Sequence, residues 1–232
     1  MEINFLLYRK KITTFLMIIV VFFALMNLYI QISKYHFDIR SEWMVVFNLD
    51  REMNFPTLYS VFLLIISAII LKQIFLLKKQ LHDPFFKHWR NLYYIFIFLS
   101  LDEGLQLHEA LILRSVGDRL IGIFHFVWVI PYTILVIISI FYFAKLLATL
   151  PTEIMRLFLF SGGLYIGAAL GFEMLEGAWV RIAGGMQNLA YSLLATTEEI
   201  LEMIAIIIFI NTLLTYIIKY QGKSLKFLIE IR

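Results

Sequence analysis

The sequence predicts an all-α fold: a polytopic membrane helical bundle of about six transmembrane helices, with both termini cytoplasmic. Three observations carry that reading. Apolar residues make up 61% of the 232 and charged residues only 16%, with a mean hydropathy of +0.84. One soluble core of this size has no room for so much apolar surface, so lipid has to be the solvent for much of the chain. Six windows reach the roughly 20 mostly apolar residues that a span needs: 12–32, 56–77, 91–113, 120–146, 154–178 and 190–218. The connections between them alternate in charge, and an even number of spans agrees with that alternation.

Arg9, Lys10 and Lys11 precede the first window. The apolar run behind them extends to about Ile30. It is too long for the core of a secretory signal and lacks a small-x-small cleavage site, so it reads as a retained span. A 23-residue loop of mixed charge, Ser33 to Phe55, leads to the second window, which begins at Pro56. Lys78, Lys79, Lys87 and Arg90 mark the next connection. Within it, residues 81–90, with Asp83, Pro84, His88 and Trp89, read as a cytoplasmic interfacial segment.

The third, fifth and sixth windows contain acidic residues, yet their lengths and flanks fit spans. Pro131 is expected to kink the fourth. Gly163, Gly167 and Gly171 recur every four residues on the fifth, a ridge that admits a neighbouring helix and is the expected contact of a homo-oligomer. Lys145 and Arg156, then Lys219, Lys223 and Lys226, keep the basic residues on one side. The other side carries Arg114 to Arg119 and a short turn around Arg181. The positive-inside rule makes the basic side cytoplasmic and the chain a multi-pass protein of the cytoplasmic (inner) membrane. Trp43, Trp89, Trp179 and Tyr191 fall near span ends, where interfacial aromatics belong.

Composition also excludes chemistries. Cysteine is absent, which removes disulfides, thiolate metal sites, iron–sulfur clusters and cysteine nucleophiles together. Four prolines and 11 glycines leave no long linker, so residues 1–232 read as a single integral membrane domain. No glycine-rich nucleotide loop, Gly-x-Ser-x-Gly elbow or His-Glu-x-x-His is present. The basic loops are the orientation signal and give no support to nucleic acid as a partner; the partner is the lipid bilayer.

The informative segments are SLDEGLQLHE (100–109), GFEMLEG (171–177) and TTEEILEM (196–203). They set eight carboxylates within the predicted spans: Asp102, Glu103, Glu109, Glu173, Glu176, Glu198, Glu199 and Glu202. His108 joins them, and His125 is expected one turn into the fourth span. A bare carboxylate at a helix centre costs about 2.5–3.5 kcal/mol on insertion scales. Each one must therefore be protonated, hydrogen-bonded, hydrated or neutralised by a cation. With a rise of about 1.5 Å per residue, the three segments converge on the outer half of the membrane. Glu173 and Glu176 are spaced i,i+3 and Glu198 and Glu202 i,i+4, while Asp102, Gln106 and Glu109 are expected to share one helical stripe.

Carboxylate oxygens with one or two imidazoles suit hard or borderline divalent cations such as manganese, iron, zinc or calcium. Candidate ligands are Asp102, His108, Glu109, His125, Glu173, Glu176, Glu199 and Glu202, with Glu103 and Glu198 as candidate catalytic proton carriers. The Glu-x-x-His spacing of di-iron bundles is missing. The alternative role for these acids is polar glue, hydrogen-bonded to Thr196, Thr197, Gln106 or backbone.

LDREMNFPTLYS (49–60), SLDEGLQLHE and TTEEILEM together resemble a group of bacterial multi-pass membrane proteins of uncharacterised activity. The shared pattern is Asp50, Glu52, Asn54, Pro56 and Thr57, then Asp102, Glu103, His108 and Glu109, then Glu198, Glu199 and Glu202. The resemblance covers most of the chain and implies bacterial origin and membership, but no function. It draws attention to Asp50, Glu52 and Asn54, which are not an EF-hand, since Phe55 stands where glycine is needed and Val61 where the bidentate glutamate belongs. They read either as a cap over the buried cluster or as a plain turn before Pro56.

Three functions are expected from this pattern. The first is a cation site, open to the non-cytoplasmic side, in a metal-dependent membrane enzyme. The second is a proton-coupled or divalent-cation transporter, which the scarcity of ionisable groups in the inner half of the spans weighs against. The third is a non-catalytic sensor or assembly subunit.

Overall fold

Hydropathy and helix boundaries agree in outline and differ where polar groups cap the helices. The structure, a computed structural model, describes residues 2–108 and 122–221, with side chains from residue 9 onward. Every regular element among these residues is helical. α1 is Glu2–His36, α2 Glu42–Val45, α3 Phe55–Gln80, α4 Phe86–Leu105 and α5 Val129–Thr149. α6, Thr152–Ile166, runs through a π-helical turn, Gly167–Phe172, into α7, Glu173–Ala183. α8 is Leu189–Tyr216, continued by a second π turn, Ile217–Gln221. Five of these stretches are long and apolar enough to cross a membrane: Arg9–His36, Phe55–Gln80, Val129–Thr149, Thr152–Ala183 and Leu189–Gln221.

α4 occupies the third predicted window but is shifted. It starts at Phe86, within the segment read as an interfacial connection, and it stops at Leu105 rather than 113. Its end is chemical. Gln106 takes the left-handed conformation at φ 54°, and the Leu107 amide turns back to the Asp102 carbonyl at 3.2 Å. The expected Asp102–Gln106–Glu109 stripe is thereby broken at Gln106, and Glu109 lies outside the described residues. Pro131 causes no kink, because α5 begins at Val129 and proline in a first turn removes no helical hydrogen bond. His125 accordingly precedes the helix, just after a 3₁₀ turn at Gly122–Phe124.

α8 is the axis of the bundle. Ala205, Ile206, Ile207, Phe209, Ile210 and Leu213 are all buried, as expected of a helix that is apolar all round. On one flank it meets Leu16, Val20 and Phe23 of α1 and Leu63 and Leu64 of α3. On another it meets Trp89 of α4, Ile154 and Phe158 of α6, and Leu146 of α5. α3 and α4 form an antiparallel hairpin through a tight turn, where Lys78 pairs with Asp83 at 2.9 Å.

Trp89 departs from its expected interfacial role. It is 1% exposed, stacks on Tyr216 at 5.2 Å and meets Phe158 edge-on at 6.0 Å. Trp89→Ala is therefore expected to cost about 3 kcal/mol or more, by loss of packed area and the cavity left behind. Thermal unfolding in detergent checks this, and a change typical of a surface residue would contradict it.

The glycine ridge also behaves differently. Among the described residues, a Cβ placed at Gly163, Gly167 or Gly171 meets nothing within 4 Å, so the ridge packs against none of them. The intimate crossing is elsewhere: a Cβ on Gly177 would lie 2.6 Å from the Gly122 carbonyl oxygen and 3.0 Å from the His125 Cβ. This contact seats the segment before α5 against α7.

Candidate functional site

Local capping builds the first part of the site. Asn54 is the N-cap of α3: its side-chain oxygen accepts the Thr57 amide at 3.1 Å, while its amide donates to the carbonyls of Asn48 and Arg51. That fold of the loop leaves Glu52 facing the end of α4. There Asp102 Oδ1 accepts the His108 backbone amide at 2.9 Å and the Tyr132 hydroxyl at 2.9 Å. The His108 ring lies between two acids, with Nδ1 3.5 Å from Asp102 Oδ2 and Nε2 3.4 Å from Glu52 Oε1. The Trp128 ring is 5.0 Å away.

The second part sits where α7 meets α8. One oxygen from each of Glu173, Glu176 and Glu198 lies within 4.8 Å of the others. Glu173 Oε1 accepts from the Trp128 indole at 3.1 Å. Glu176 is hydrogen-bonded to Glu198 and Tyr191, yet its Oε1 is buried without a partner among the described residues. The π turn before Glu173 matters here. Its extra residue rotates all that follows by about 100° relative to α6, turning Glu173 and Glu176 to face α8. Deeper along α8, Glu199 and Glu202 lie within electrostatic reach of Glu103 on α4 and of each other.

These groups line one cavity of about 1480 Å³, walled by α4, α5, α6, α7 and α8. Asp50 and Arg51 from the loop stand at its mouth, beside a second hollow of about 380 Å³ that includes Lys34 and Arg40. Asp50 accepts the Ser192 hydroxyl at 2.8 Å and lies 4.0 Å from the Lys34 ammonium. Burial pushes its carboxyl above the usual carboxylate range, with the Ser192 hydrogen bond and Lys34 pulling the other way.

Of the sequence candidates, Asp102, Glu103, His108, His125, Glu173, Glu176, Glu198, Glu199 and Glu202 all line this cavity. Glu173, Glu176 and Glu198 form the tight oxygen cluster, so Glu198, read as a proton carrier, sits among the would-be ligands. Asp102 and His108 form the separate unit with Glu52. His125 reaches the cavity with an unpartnered Nδ1 but does not join the cluster. The two readings of the 50–54 segment divide between residues: Asn54 makes the turn, while Asp50 and Glu52 cover the cavity.

Sequence reasoning passed over the aromatic lining. Trp128, Tyr132 and Tyr191 hold Glu173, Asp102 and Glu176, and Tyr191, expected at the interface, faces the acids instead. Tyr165 is within electrostatic reach of Glu202 and Glu103. Nothing in the spacing of these aromatics separates them from ordinary span residues. Glu52 did carry a signal, in the Asp-x-Glu-x-Asn pattern.

Amide side chains supply further polar glue. Asn27 donates to Thr196 at 2.6 Å, and Gln31 bridges Asn27 at 3.2 Å and Asn48 at 2.9 Å, in a network across α1, the loop and α8. Such bonds contribute about 0.6–2 kcal/mol each in a membrane bundle. The amides thus share the cross-linking of the bundle with Asp102, Glu173 and Glu176.

Residues 13–217 match the profile of a domain of unknown function (DUF8692), and the chain belongs to that family. No curated protein and no solved structure matches it.

Proposed function

We propose, for a member of a family whose description assigns no activity, that the carboxylate cavity holds a divalent cation on the non-cytoplasmic side and serves a metal-dependent membrane enzyme. One observation carries this reading: one carboxylate oxygen from each of Glu173, Glu176 and Glu198 lies within 4.8 Å of the others, and Glu176 also keeps a buried Oε1 with no hydrogen-bond partner among the described residues. Acids that close hold either a proton or a cation between them. Oxygen ligands bind calcium at about 2.3–2.6 Å and smaller divalent ions nearer, so a cluster of this spread fits around one ion after slight contraction.

Glu173, Glu176 and Glu198 would hold the cation, with Glu199, Glu202 and Glu103 as the reserve of negative charge beneath. When bound, the cation would polarise an oxygen of the substrate or lower the pKa of a water. The Glu52–His108–Asp102 unit is the site's own acid–base element. Asp102 orients the imidazole through Nδ1, and Nε2 is left toward Glu52 and the cavity. Trp128 connects the two parts, its ring tilted against His108 while its indole donates to Glu173.

The transporter reading draws no support from the inner cavity wall, which is built of residues such as Leu92, Phe143, Leu146 and Leu147. Elemental analysis of the purified protein, before and after reconstitution with manganese, iron, zinc and calcium, tests the proposal. A stoichiometric metal is expected, and its absence after reconstitution would overturn the reading.

The charge pattern supports cytoplasmic termini and α4 as a sixth span. A cysteine at Gly184 should react with an impermeant thiol reagent in intact cells, and one at Lys79 should not. The opposite labelling would move the site to the cytoplasmic face.

A further inference from the structure

The carboxylates occupy only one end of the cavity. Below them it continues between α4, α5 and α6, lined by Ile95, Leu99, Val136, Ser139, Ile166 and Phe158. From Asp102 to Leu92 along α4 is about 15 Å, and from Tyr132 to Leu147 along α5 about 22 Å. One leaflet of hydrocarbon is about 15 Å deep, half of a core roughly 30 Å thick. The apolar section is therefore at least as deep as one leaflet of lipid chains.

Its walls are built to leave room. Gly162 and Gly163 line the section, and a Cβ at either would meet nothing within 4 Å among the described residues. α5 is tied to α4 at two points, in its first turn and past its middle: Tyr132 donates to Asp102 at 2.9 Å, and Asn91 donates to Tyr142 at 2.7 Å. Between these ties Phe98, Leu135 and Ile140 line the cavity and are still 44%, 53% and 56% exposed. The seam between α4 and α5 thus opens sideways, at a depth where the surrounding solvent is hydrocarbon. Water gains nothing in an apolar channel of this kind, whereas a lipid chain from the bilayer keeps its apolar contacts there.

We infer that the cavity takes one amphiphile of the bilayer through the α4–α5 seam, its hydrocarbon chain in the apolar section and its oxygen-bearing head at the carboxylates. The chain compartment stands on the shape and lining of the cavity. That the amphiphile is the substrate rests on the cation-site reading above.

The test uses proteoliposomes containing a phospholipid with a photoactivatable diazirine in its acyl chain, with labelled peptides mapped by mass spectrometry. Label is expected on the cavity face of α5, at Val136 and Ser139, as well as on its outer face at Ile138 and Phe141. Gly162→Phe should remove the cavity label and leave the outer label and the metal content unchanged. Ser139→Trp, from the opposite wall, should do the same, so a folding defect in one variant is not decisive. Label confined to the outer face, or cavity label undiminished in both variants, would overturn the inference. Glu198→Gln should keep the cavity label while losing the metal. A protein that carries label but never a metal would retain the chain compartment and defeat only the cation-site reading.

Discussion

Glu198→Gln should weaken retention of a divalent cation on the order of a hundredfold, about 2.7 kcal/mol, while Glu42→Gln in α2 should leave it unchanged. Glutamine keeps the shape and one oxygen of the side chain but removes its charge from a cluster whose oxygens lie within 4.8 Å. Glu199→Gln and Glu202→Gln act from deeper in the cavity and outside the tight cluster, so losses nearer tenfold are expected, as for groups that support ligands. Equilibrium dialysis with elemental analysis measures all four. Equal losses across the set, or none for Glu198→Gln, would sink the assignment.

The same variant separates a cation site from plain structure. Without a cation, the three acids repel or share protons, and removing one charge should leave the apo protein as stable or more so. If the acids were instead structural glue, Glu198→Gln would lower the unfolding temperature and leave metal content untouched. The two outcomes move different measurements.

His108→Gln should destabilise the fold by about 1–3 kcal/mol, less than for a fully buried ion pair because the His108 and Glu52 side chains keep 18% and 25% of their exposure. Glu52 and Asp102 approach opposite nitrogens of one ring, at 3.4 and 3.5 Å, so its loss leaves two carboxylates facing a gap. Glu52→Gln in the His108→Gln background should recover part of that loss. A coupling of about 1 kcal/mol or more in the double-mutant cycle is the expected result. Urea or thermal unfolding in detergent reads it. Strictly additive effects would mean that the loop acid and the imidazole do not act as a unit. His108 also sits six residues after Asp102, whose carboxylate caps its amide, so a conservative replacement is needed to keep the chain reversal intact.

The comparison of sequence with structure is most instructive at the glycines and the helix ends. Gly163, Gly167 and Gly171 have the spacing of a packing ridge, yet the positions crowded by another backbone are Gly122 and Gly177. Spacing along one helix says nothing about which face a second segment crosses. Likewise Asp102 and His108 are spaced for divergent faces of a continuous helix. They meet because the chain leaves the helix at Gln106, a residue with no strong tendency to do so. Glu173 and Glu176 kept their i,i+3 relation, but the face they present was set by a π turn that hydropathy does not register.

The sequence by itself determined the all-helical membrane class, the approximate places of the spans and the set of acids that cannot be left bare in hydrocarbon. These follow from composition, run length and the cost of burying charge, all of them local properties. Only the tertiary structure decided which acids bring their oxygens together, that Glu52 and three aromatic residues belong with them, and that the acids head a deep apolar cavity. Those features depend on where helices end, how a π turn rotates one face and which walls of the bundle stay apart. Such choices are made by contacts between segments far apart in the chain, and no periodicity within one segment records them.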